Sequence, residues 1–389
     1  MKLPEGQALR RLPAYPLADI PERKKRLAAA GVDLIDLGAG DADLAPPPAA
    51  VEALSRSAGE PRCSRYAFQG GLPALRDAIA TWMGKRFGLP VDPATELLPL
   101  IGSKEGIAHL PLALMRPGEV GIVPDPGYLA YQGGIILAGG EPHLVPLRPE
   151  HDFLVPLREL SEAVVRRARI LYLNYPNNPT AAEASLDYLK EAVEFCRERG
   201  IVLVHDHAYS EIAFDGYRPP SVLEVEGARE VALEFHTFSK TYNMTGWRLG
   251  WVVGRPELVG ALTRVKTFID TGIFLAVQAA GVAALESWES WVPANVDTFR
   301  RRRDAMVAAL ARGGFRVTRP RATMYLWVPV PGGEPSGDFA RRALEQEGVV
   351  VLPGAALGAG GEGYFRVALT VSEARLEESA ERLARVPRT

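Results

Sequence analysis

Cysteine is scarce in this chain, whose 389 residues include two, Cys63 and Cys196. Two cysteines supply neither a disulfide framework nor the clustered thiolates of a structural metal site. Long apolar runs are missing as well. The longest, 272–285, contains Gln278 and is too short to span a lipid bilayer. Residues 1–16 lack the apolar segment of a secretion signal, so we expect a cytoplasmic protein without a membrane segment.

A surplus of charge of either sign is also absent. The chain has 45 Lys and Arg against 47 Asp and Glu, a formal net charge of -2. Such a balance offers no basic face to nucleic acid or to an anionic membrane. The hydrophobic and charged fractions, 47% and 24%, are typical of a globular enzyme. The length favours two domains over one.

Short apolar runs alternate with longer amphipathic stretches from residue 97 onward. This alternation predicts a mainly parallel α/β sheet with helices between its strands. The connection after the run 231–236 is too short for a crossover helix, so the strand that follows it should run antiparallel. The large domain is therefore predicted to contain a mostly parallel seven-stranded sheet with one antiparallel strand. Its predicted strands are 97–101, 120–123, 143–147, 170–174, 201–205, 231–236 and 249–253.

The pattern changes after about residue 286. A long helix, 292–312, is predicted there, followed by strands near 315–317 and 325–330, which is typical of a smaller α+β domain. The first thirty or so residues are rich in proline and predict an extended arm that crosses to another surface. The predicted division is an N-terminal arm or small-domain segment (1–35), a large cofactor-binding domain (36–285) and a small C-terminal domain (286–389).

The segment 235–251, FHTFSKTYNMTGWRLGW, places Lys240 on a tight polar loop with Arg248 eight residues later. Packing explains this lysine poorly, because a buried ammonium without a partner is costly. A solvated lysine between two strands is one alternative. An amine held ready to form a Schiff base explains it better, with Thr237, Ser239 and the guanidinium beside it to hold a phosphate. Pyridoxal phosphate (PLP) requires this combination.

Polar residues follow other predicted strands, and ligands of open α/β sheets bind beyond the carboxyl ends of strands. Ser103 and Lys104, at the start of a helical pattern, could receive a phosphate or belong to a simple glycine turn. Tyr128 could lie against an aromatic ring or cap its loop. Asn178 lies between two prolines that fix its backbone, and its amide could donate to a phenolate oxygen, although Asn-Pro pairs also form turns.

Asp206 ends an apolar strand and would need a cation or a donor there. A protonated pyridine nitrogen would supply one and keep the ring an electron sink, whereas capping of a helix is the alternative. Tyr209 could reach the phenolic oxygen of the same ring. His205 and His207 flank Asp206 without a cysteine or carboxylate at metal-ligand spacing, so we interpret them as supporting or packing groups and predict no metal site.

From about residue 12 to 384 the chain resembles the fold-type I PLP-dependent aminotransferases of class I/II. The resemblance implies that Lys240 forms the Schiff base, that Asp206 pairs with the pyridine nitrogen, and that Tyr209 and Asn178 bind the ring oxygen. It further implies that Tyr128 stacks on the ring and that the phosphate is held by Ser103, Lys104, Thr237, Ser239 and Arg248.

Two more implied contacts concern the substrate and a second subunit. Arg366, in GYFRVA, matches the arginine that clamps the substrate α-carboxylate, where Asn178 also contributes. Tyr66, in RYAFQGG, matches a tyrosine donated to the phosphate site of the partner subunit, which implies a homodimer with shared active sites. The alternatives are a surface arginine at a strand edge and a core aromatic residue.

Within this group, the sequence is most similar to those of the LL-diaminopimelate aminotransferases, for example in the segments GSKEGIAHLPL and YSEIAFDGYRPPSVLEVE. Tyr15 and Gly40 match positions that touch substrate in that family. The resemblance implies ping-pong transfer of an amino group from LL-diaminopimelate to 2-oxoglutarate, in lysine biosynthesis. Tyr15, Glu105 and His109 are candidates to hold the distal end of that donor. A broad-specificity aspartate, alanine or aromatic aminotransferase, or a PLP-dependent lyase, would share the cofactor contacts and remains the alternative.

Overall fold

Strands and helices alternate through most of the chain. The structure is a computed structural model that describes residues 6–13 and 20–387. The strands are β1 (Ile35–Asp36), β2 (Leu97–Leu100), β3 (Val120–Asp125), β4 (Glu141–Pro146), β5 (Ala168–Leu173), β6 (Val202–Asp206), β7 (Ala232–Thr237), β8 (Gly250–Gly254), β9 (Tyr325–Pro329), β10 (Val349–Val350), β11 (Leu352–Pro353) and β12 (Tyr364–Ala368).

The helices account for most of the remaining regular structure. They are α1 (Gln7–Arg11), α2 (Ile20–Ala29), α3 (Pro48–Ala58), α4 (Pro73–Phe87), α5 (Ser103–Leu114), α6 (Leu129–Leu137), α7 (Glu162–Val165), α8 (Leu186–Arg199), α9 (Phe238–Thr241), α10 (Pro256–Thr267), α11 (Leu275–Glu286), α12 (Trp288–Arg312), α13 (Ser336–Glu347) and α14 (Glu373–Arg385). Within the described residues, we find no helix that combines the length and the apolar character needed to cross a membrane.

A seven-stranded sheet in the order β2-β8-β7-β6-β5-β3-β4 forms the centre of the larger part of the molecule. Its strands pair in parallel from β7 to β4, whereas β8 runs antiparallel to both of its neighbours. The predicted fold class, with one antiparallel strand after the short connection, is confirmed. Each of the seven predicted strands lies within two residues of the observed bounds.

Both faces of this sheet are covered, as its nearly continuous apolar strands require. On one face, Leu203 and Ala232 pack with residues of α4, α8 and α11. On the other face, Val204 and Leu233 pack with residues of α5, α6 and α10. Successive strand residues point to opposite faces, so the polar residues at the strand ends also divide between the two sides.

A second hydrophobic core is built from the C-terminal part of the chain. It joins residues of α12, α13 and α14 to the antiparallel sheet β11-β12-β9. Ile35 and Leu37 belong to this core, and β1 pairs in parallel with β10. The two cores agree with a large and a small domain, while the boundaries 1–35, 36–285 and 286–389 stay a prediction.

Two expectations are wrong. Residues 315–317 form no strand, because Phe315 contributes its apolar ring directly to the second core, against Phe339 and Phe365. The described parts of the N-terminal segment are helical in α1 and α2 instead of extended. Pro21 lies in the first turn of α2, where a missing backbone N–H leaves no hydrogen bond unmade.

Candidate active site

A cavity of about 490 Å³ opens at the carboxyl ends of the central strands. Parallel strands place these ends at one edge of the sheet, and the size is that of a site for small molecules. Residues of the second core close the other side. The lining includes Gly40, Ser103, Lys104, Tyr128, Asn174, Asn178, Asp206, Tyr209, Thr237, Ser239, Lys240, Arg248, Tyr325 and Arg366.

Lys240 lies in the short helix α9, directly after β7. The chain must turn back here to enter the antiparallel strand β8, and Thr237 caps the turn by accepting a hydrogen bond from the backbone N–H of Ser239 (3.1 Å). The Lys240 ammonium donates to the carbonyl oxygen of Gly40. Among the described residues we find no carboxylate paired with Lys240, and its side chain lines the cavity.

One end of the cavity is suited to an anion. Gly102 precedes α5 with φ +70°, and an added Cβ would meet the Arg248 Nη2 at 2.3 Å. Glycine therefore lets the guanidinium cross the start of α5, where the backbone N–H groups of Ser103 and its successors begin the helix. Arg248 is oriented by the Thr245 carbonyl, to which it donates at 2.8 Å. Guanidinium, hydroxyl and helix N-terminus together can hold a phosphate.

The cavity also holds a buried acid. Asp206 Oδ2 accepts a hydrogen bond from the Tyr131 hydroxyl at 2.7 Å, whereas Oδ1 is buried with no hydrogen-bond partner among the described residues. Burial raises the pKa of Asp206 to about 6, against the Tyr131 hydrogen bond, the charges of His205 and His236 and the backbone N–H of Ala208, which lower it. An unpaired carboxylate oxygen at this depth is suited to a cationic N–H donor.

A third group is suited to binding a carboxylate. Arg366 on β12 is 5% exposed and donates to Asn178 Oδ1 (2.9 Å) and to the Gly38 carbonyl (2.7 Å). Its Nε is buried without a partner among the described residues. The alternative of a surface arginine is excluded. Because Asn178 turns its oxygen toward Arg366, its amide nitrogen is left to donate to another acceptor.

Two tyrosines complete the cavity, and sequence reasoning missed one of them. Tyr209 donates to the hydroxyl of Tyr325 at 3.2 Å, and the Arg366 guanidinium lies 4.2 Å from the Tyr325 ring centre. Burial would raise the pKa of Tyr325, but the charges of Lys240 and Arg366 outweigh it and lower that pKa. Burial raises the pKa of Tyr209. No local motif marks Tyr325, because it lies on β9, far in sequence from Lys240 and Asp206.

Tyr131 was missed as well, although a signal existed. It follows Tyr128 by three residues, so the two side chains share one side of the first turn of α6. Their rings pack edge to face at 5.7 Å. Tyr128 lines the cavity, and the Lys104 ammonium lies 5.8 Å from the centre of its ring.

Several predicted residues lie away from the cavity. Tyr66 is 73% exposed, which excludes a core role, and does not line the cavity of its own chain. Tyr15 lies outside the described residues. The expectation for Glu105 and His109 is wrong. Glu105 turns back to accept from the Ile101 N–H (2.7 Å) and from Lys266 (2.9 Å), and His109 lies against it at 3.5 Å.

Comparison with known proteins shows the family. The sequence profile of "Aminotransferase class I and II" matches residues 32–383. An LL-diaminopimelate aminotransferase of Desulforudis audaxviator is 50% identical over 383 residues, which cover 98% of each chain. BacF from Bacillus subtilis is 32% identical, with a TM-score of 0.94 over 99% of this chain and 98% of that one.

A third similar protein is a probable N-succinyldiaminopimelate aminotransferase from Thermus thermophilus. Its solved structure is 38% identical, with a TM-score of 0.90 over 95% of this chain and 99% of that one. The profile match, the full-length relative and the shared fold agree with a cavity that combines a free amine, a buried acid and a carboxylate clamp. The chain belongs to the class I and II aminotransferases.

Proposed function

We propose that this chain binds PLP and transfers an amino group from LL-diaminopimelate to 2-oxoglutarate by a ping-pong mechanism. The observation that carries the reaction is the unpaired, buried Oδ1 of Asp206 in the same cavity as the Lys240 amine. The donor is supported by the relative from Desulforudis audaxviator, which is named for LL-diaminopimelate and is 50% identical over 98% of the chain.

The residues present fit PLP, the cofactor that the family implies. Asp206 Oδ1 would accept from the ring N–H, Tyr209 and Asn178 would donate to the ring oxygen, and Tyr128 would stack on the ring. The phosphate would be held by Ser103, Lys104, Thr237, Ser239 and Arg248. When bound, PLP supplies an electron sink for the electron pair that remains after the α-proton leaves the amino acid.

Different side chains of the protein would then bind the substrate, transfer the proton and hold the charge of the ring. Arg366 binds the α-carboxylate and orients the substrate, with Asn178 and Gly40 beside it. The Lys240 Nζ would act as the general base that takes the α-proton of the amino acid and as the acid that later returns a proton. Asp206 stays ionised, so the ring nitrogen keeps its proton. The 2-oxo acid then enters, and the same groups act in the reverse order.

A homodimer in the cytoplasm completes the proposal. Tyr66 and Phe68 are 73% and 64% exposed, and the exposed Phe268 (91%) and Phe274 (50%) lie in the loop region after α10. Gly272 of that region packs against the Phe68 backbone. Exposed aromatic rings so close together are typical of an interface. A second copy covering them would receive Tyr66 at its phosphate site.

The test is a coupled assay with 2-oxoglutarate and a panel of donors: LL-diaminopimelate, aspartate, alanine and phenylalanine. We expect the highest kcat/KM with LL-diaminopimelate, and bleaching of the visible cofactor absorbance by the same donor. A higher kcat/KM with another donor would contradict the substrate and favour a broad-specificity aminotransferase. Release of ammonia or carbon dioxide in place of transamination would favour a lyase.

A further inference from the structure

A buried polar cluster lies on the side of the sheet away from the cavity, behind Asp206. It consists of His205 and His207 at the end of β6 and of Glu234 and His236 on β7, each no more than 1% exposed. We call it the histidine cluster. His205 and Asp206 are successive strand residues and point to opposite faces. The sequence spacing showed no carboxylate near these histidines, because Glu234 comes from the neighbouring strand, opposite His205.

The hydrogen bonds of His205 determine its charge. Its Nδ1 lies 2.9 Å from Glu234 Oε2, and its Nε2 lies 3.0 Å from the carbonyl oxygen of Tyr175. Both oxygen atoms accept hydrogen bonds and cannot donate. Each ring nitrogen must therefore carry a proton for both hydrogen bonds to form. The ring of His205 is then a cation buried beside a carboxylate.

Glu234 is the matching anion. Burial would raise the pKa of its carboxyl, but His207, His205 and His236 outweigh burial and hold that pKa well below its ordinary value. The carboxylate also accepts from the Ser221 hydroxyl and from the Val222 N–H, both at 2.8 Å. His236 Nε2 lies 2.8 Å from Glu234 Oε1, so with His205 each carboxylate oxygen has two partners and the pair is fixed in place.

His207 differs from its neighbour. Its Nδ1 lies 3.6 Å from Glu234 Oε2, beyond hydrogen-bond distance, and neither buried ring nitrogen has a hydrogen-bond partner among the described residues. Burial lowers the pKa of His207 to about 3, although the charge of Glu234 opposes this. Its ring stacks on His205 with centres 4.6 Å apart. A neutral ring stacked on a cationic one makes His207 a matched control for the charge of His205.

We propose that His205 is a positioning residue for the aminotransferase reaction, whose positive charge, fixed behind the sheet by Glu234 and Tyr175, keeps Asp206 ionised in the cavity. Asp206 is buried and accepts from the Tyr131 hydroxyl and, more weakly, from the Ala208 backbone N–H, so the charge of His205 on the opposite face of the sheet affects its ionisation. The charges of His205 and His236 both lower the pKa of Asp206. The other titratable groups that face Asp206 or line its cavity are Asp41, Tyr128, Tyr131, Tyr209, Lys104, Lys240, Arg248, Tyr325 and Arg366.

A metal ion is the competing explanation of the cluster. Ligand atoms of His205, His207 and Glu234 lie within 4.8 Å of one another. However, the hydrogen bonds described above already use His205 Nδ1 and both oxygens of Glu234. The geometry therefore favours an ion pair.

The first experiment follows the Asp206 carboxyl by ¹³C NMR in the cofactor-free protein, with Asp206→Asn to assign its resonance. In His205→Gln we expect the titration midpoint to rise by on the order of one pH unit, the effect of a unit charge at roughly 10 Å with an effective dielectric constant of about 20. His207→Asn should leave the midpoint in place. An unchanged midpoint in His205→Gln, or an equal rise in both variants, would overturn the proposal.

The second experiment needs no variant to be stable. In ¹⁵N-histidine NMR of the wild-type protein near neutral pH, His205 should show two protonated nitrogens and His207 one. A neutral His205 would overturn the proposal. So would a stoichiometric metal ion, measured by elemental analysis of the purified protein.

The third experiment rests on the proposed function. In His205→Gln the affinity for PLP should fall about twofold at pH 7 and about tenfold near pH 5, because the ionised fraction of Asp206 falls by these factors when its midpoint rises by one pH unit from about 6. The affinity for an analogue with carbon in place of the ring nitrogen should not fall, because that ring has no charge to pair. Equal losses for both ligands would overturn the charge argument. Failure of the wild-type protein to bind PLP would contradict the proposed function, while the NMR results would still decide the role of His205.

Discussion

Asp206 makes the stability of the cofactor-free protein depend on pH in a direction opposite to that of an ordinary paired carboxylate. Its pKa is raised from 3.8 to about 6 by burial. The folded protein therefore holds this proton more tightly than the unfolded chain. The resulting stabilisation is present below about pH 4 and is lost as the pH rises through about 6.

The magnitude follows from the size of the shift. About two pH units correspond to about 3 kcal/mol, at about 1.4 kcal/mol for each unit. Asp206→Asn keeps the shape of the side chain and removes the titration. Relative to the wild-type protein, the variant should therefore gain about 3 kcal/mol in its free energy of unfolding between low and neutral pH.

Urea unfolding of both cofactor-free proteins across that pH range is the assay. The difference between the two proteins isolates Asp206 from the other carboxyls, which titrate in both. Added PLP should stabilise the wild-type protein at neutral pH far more than the variant, because its ring N–H pairs with the ionised carboxylate. If the two stability curves ran parallel with pH, the account of a buried, unpaired Oδ1 would be refuted.

Three further predictions concern the other parts of the cavity. Gly102→Ala should weaken PLP binding at least about tenfold in an equilibrium titration, because the added Cβ displaces Arg248 and the residue must keep φ +70°. Gly118→Ala is the control: its φ is +82°, but no atom lies within 4 Å of the added Cβ. This variant has the backbone strain alone and should bind PLP normally. Arg366→Lys should raise the KM for the amino donor by about 10- to 100-fold and leave the cofactor spectrum unchanged, since a lysine cannot form the bidentate contact. Activity should return when inactive Lys240→Ala and Tyr66→Ala subunits are unfolded and refolded together, because one site of each mixed dimer has both side chains; no recovery would contradict shared active sites.

The parts of the fold set by local pattern were predictable from the sequence. Apolar runs between helical stretches located the seven strands, because strands buried on both faces must be apolar. The short connection from β7 to β8 forced an antiparallel return. The prediction of a strand at 315–317 is wrong, because an apolar residue such as Phe315 can be buried without pairing in a sheet.

The candidate site was predictable where a polar residue near a predicted strand end has a functional group that suits one kind of chemistry. Lys240 and Asp206 are of this kind, whereas Arg366 was assigned through the family resemblance, and the structure gathers all three at one cavity. Tyr325 and Glu234 were not found, because each reaches its partner from an element distant in sequence. Their roles depend on tertiary contacts, which no local spacing reports.

The most direct test of the account is borohydride reduction of the PLP-loaded protein, followed by mass spectrometry of its peptides. We expect one covalently modified lysine, in the peptide that contains Lys240, together with loss of transaminase activity. Modification at any other lysine, or an unmodified Lys240 in protein that has bound PLP and is active, would contradict the central claim.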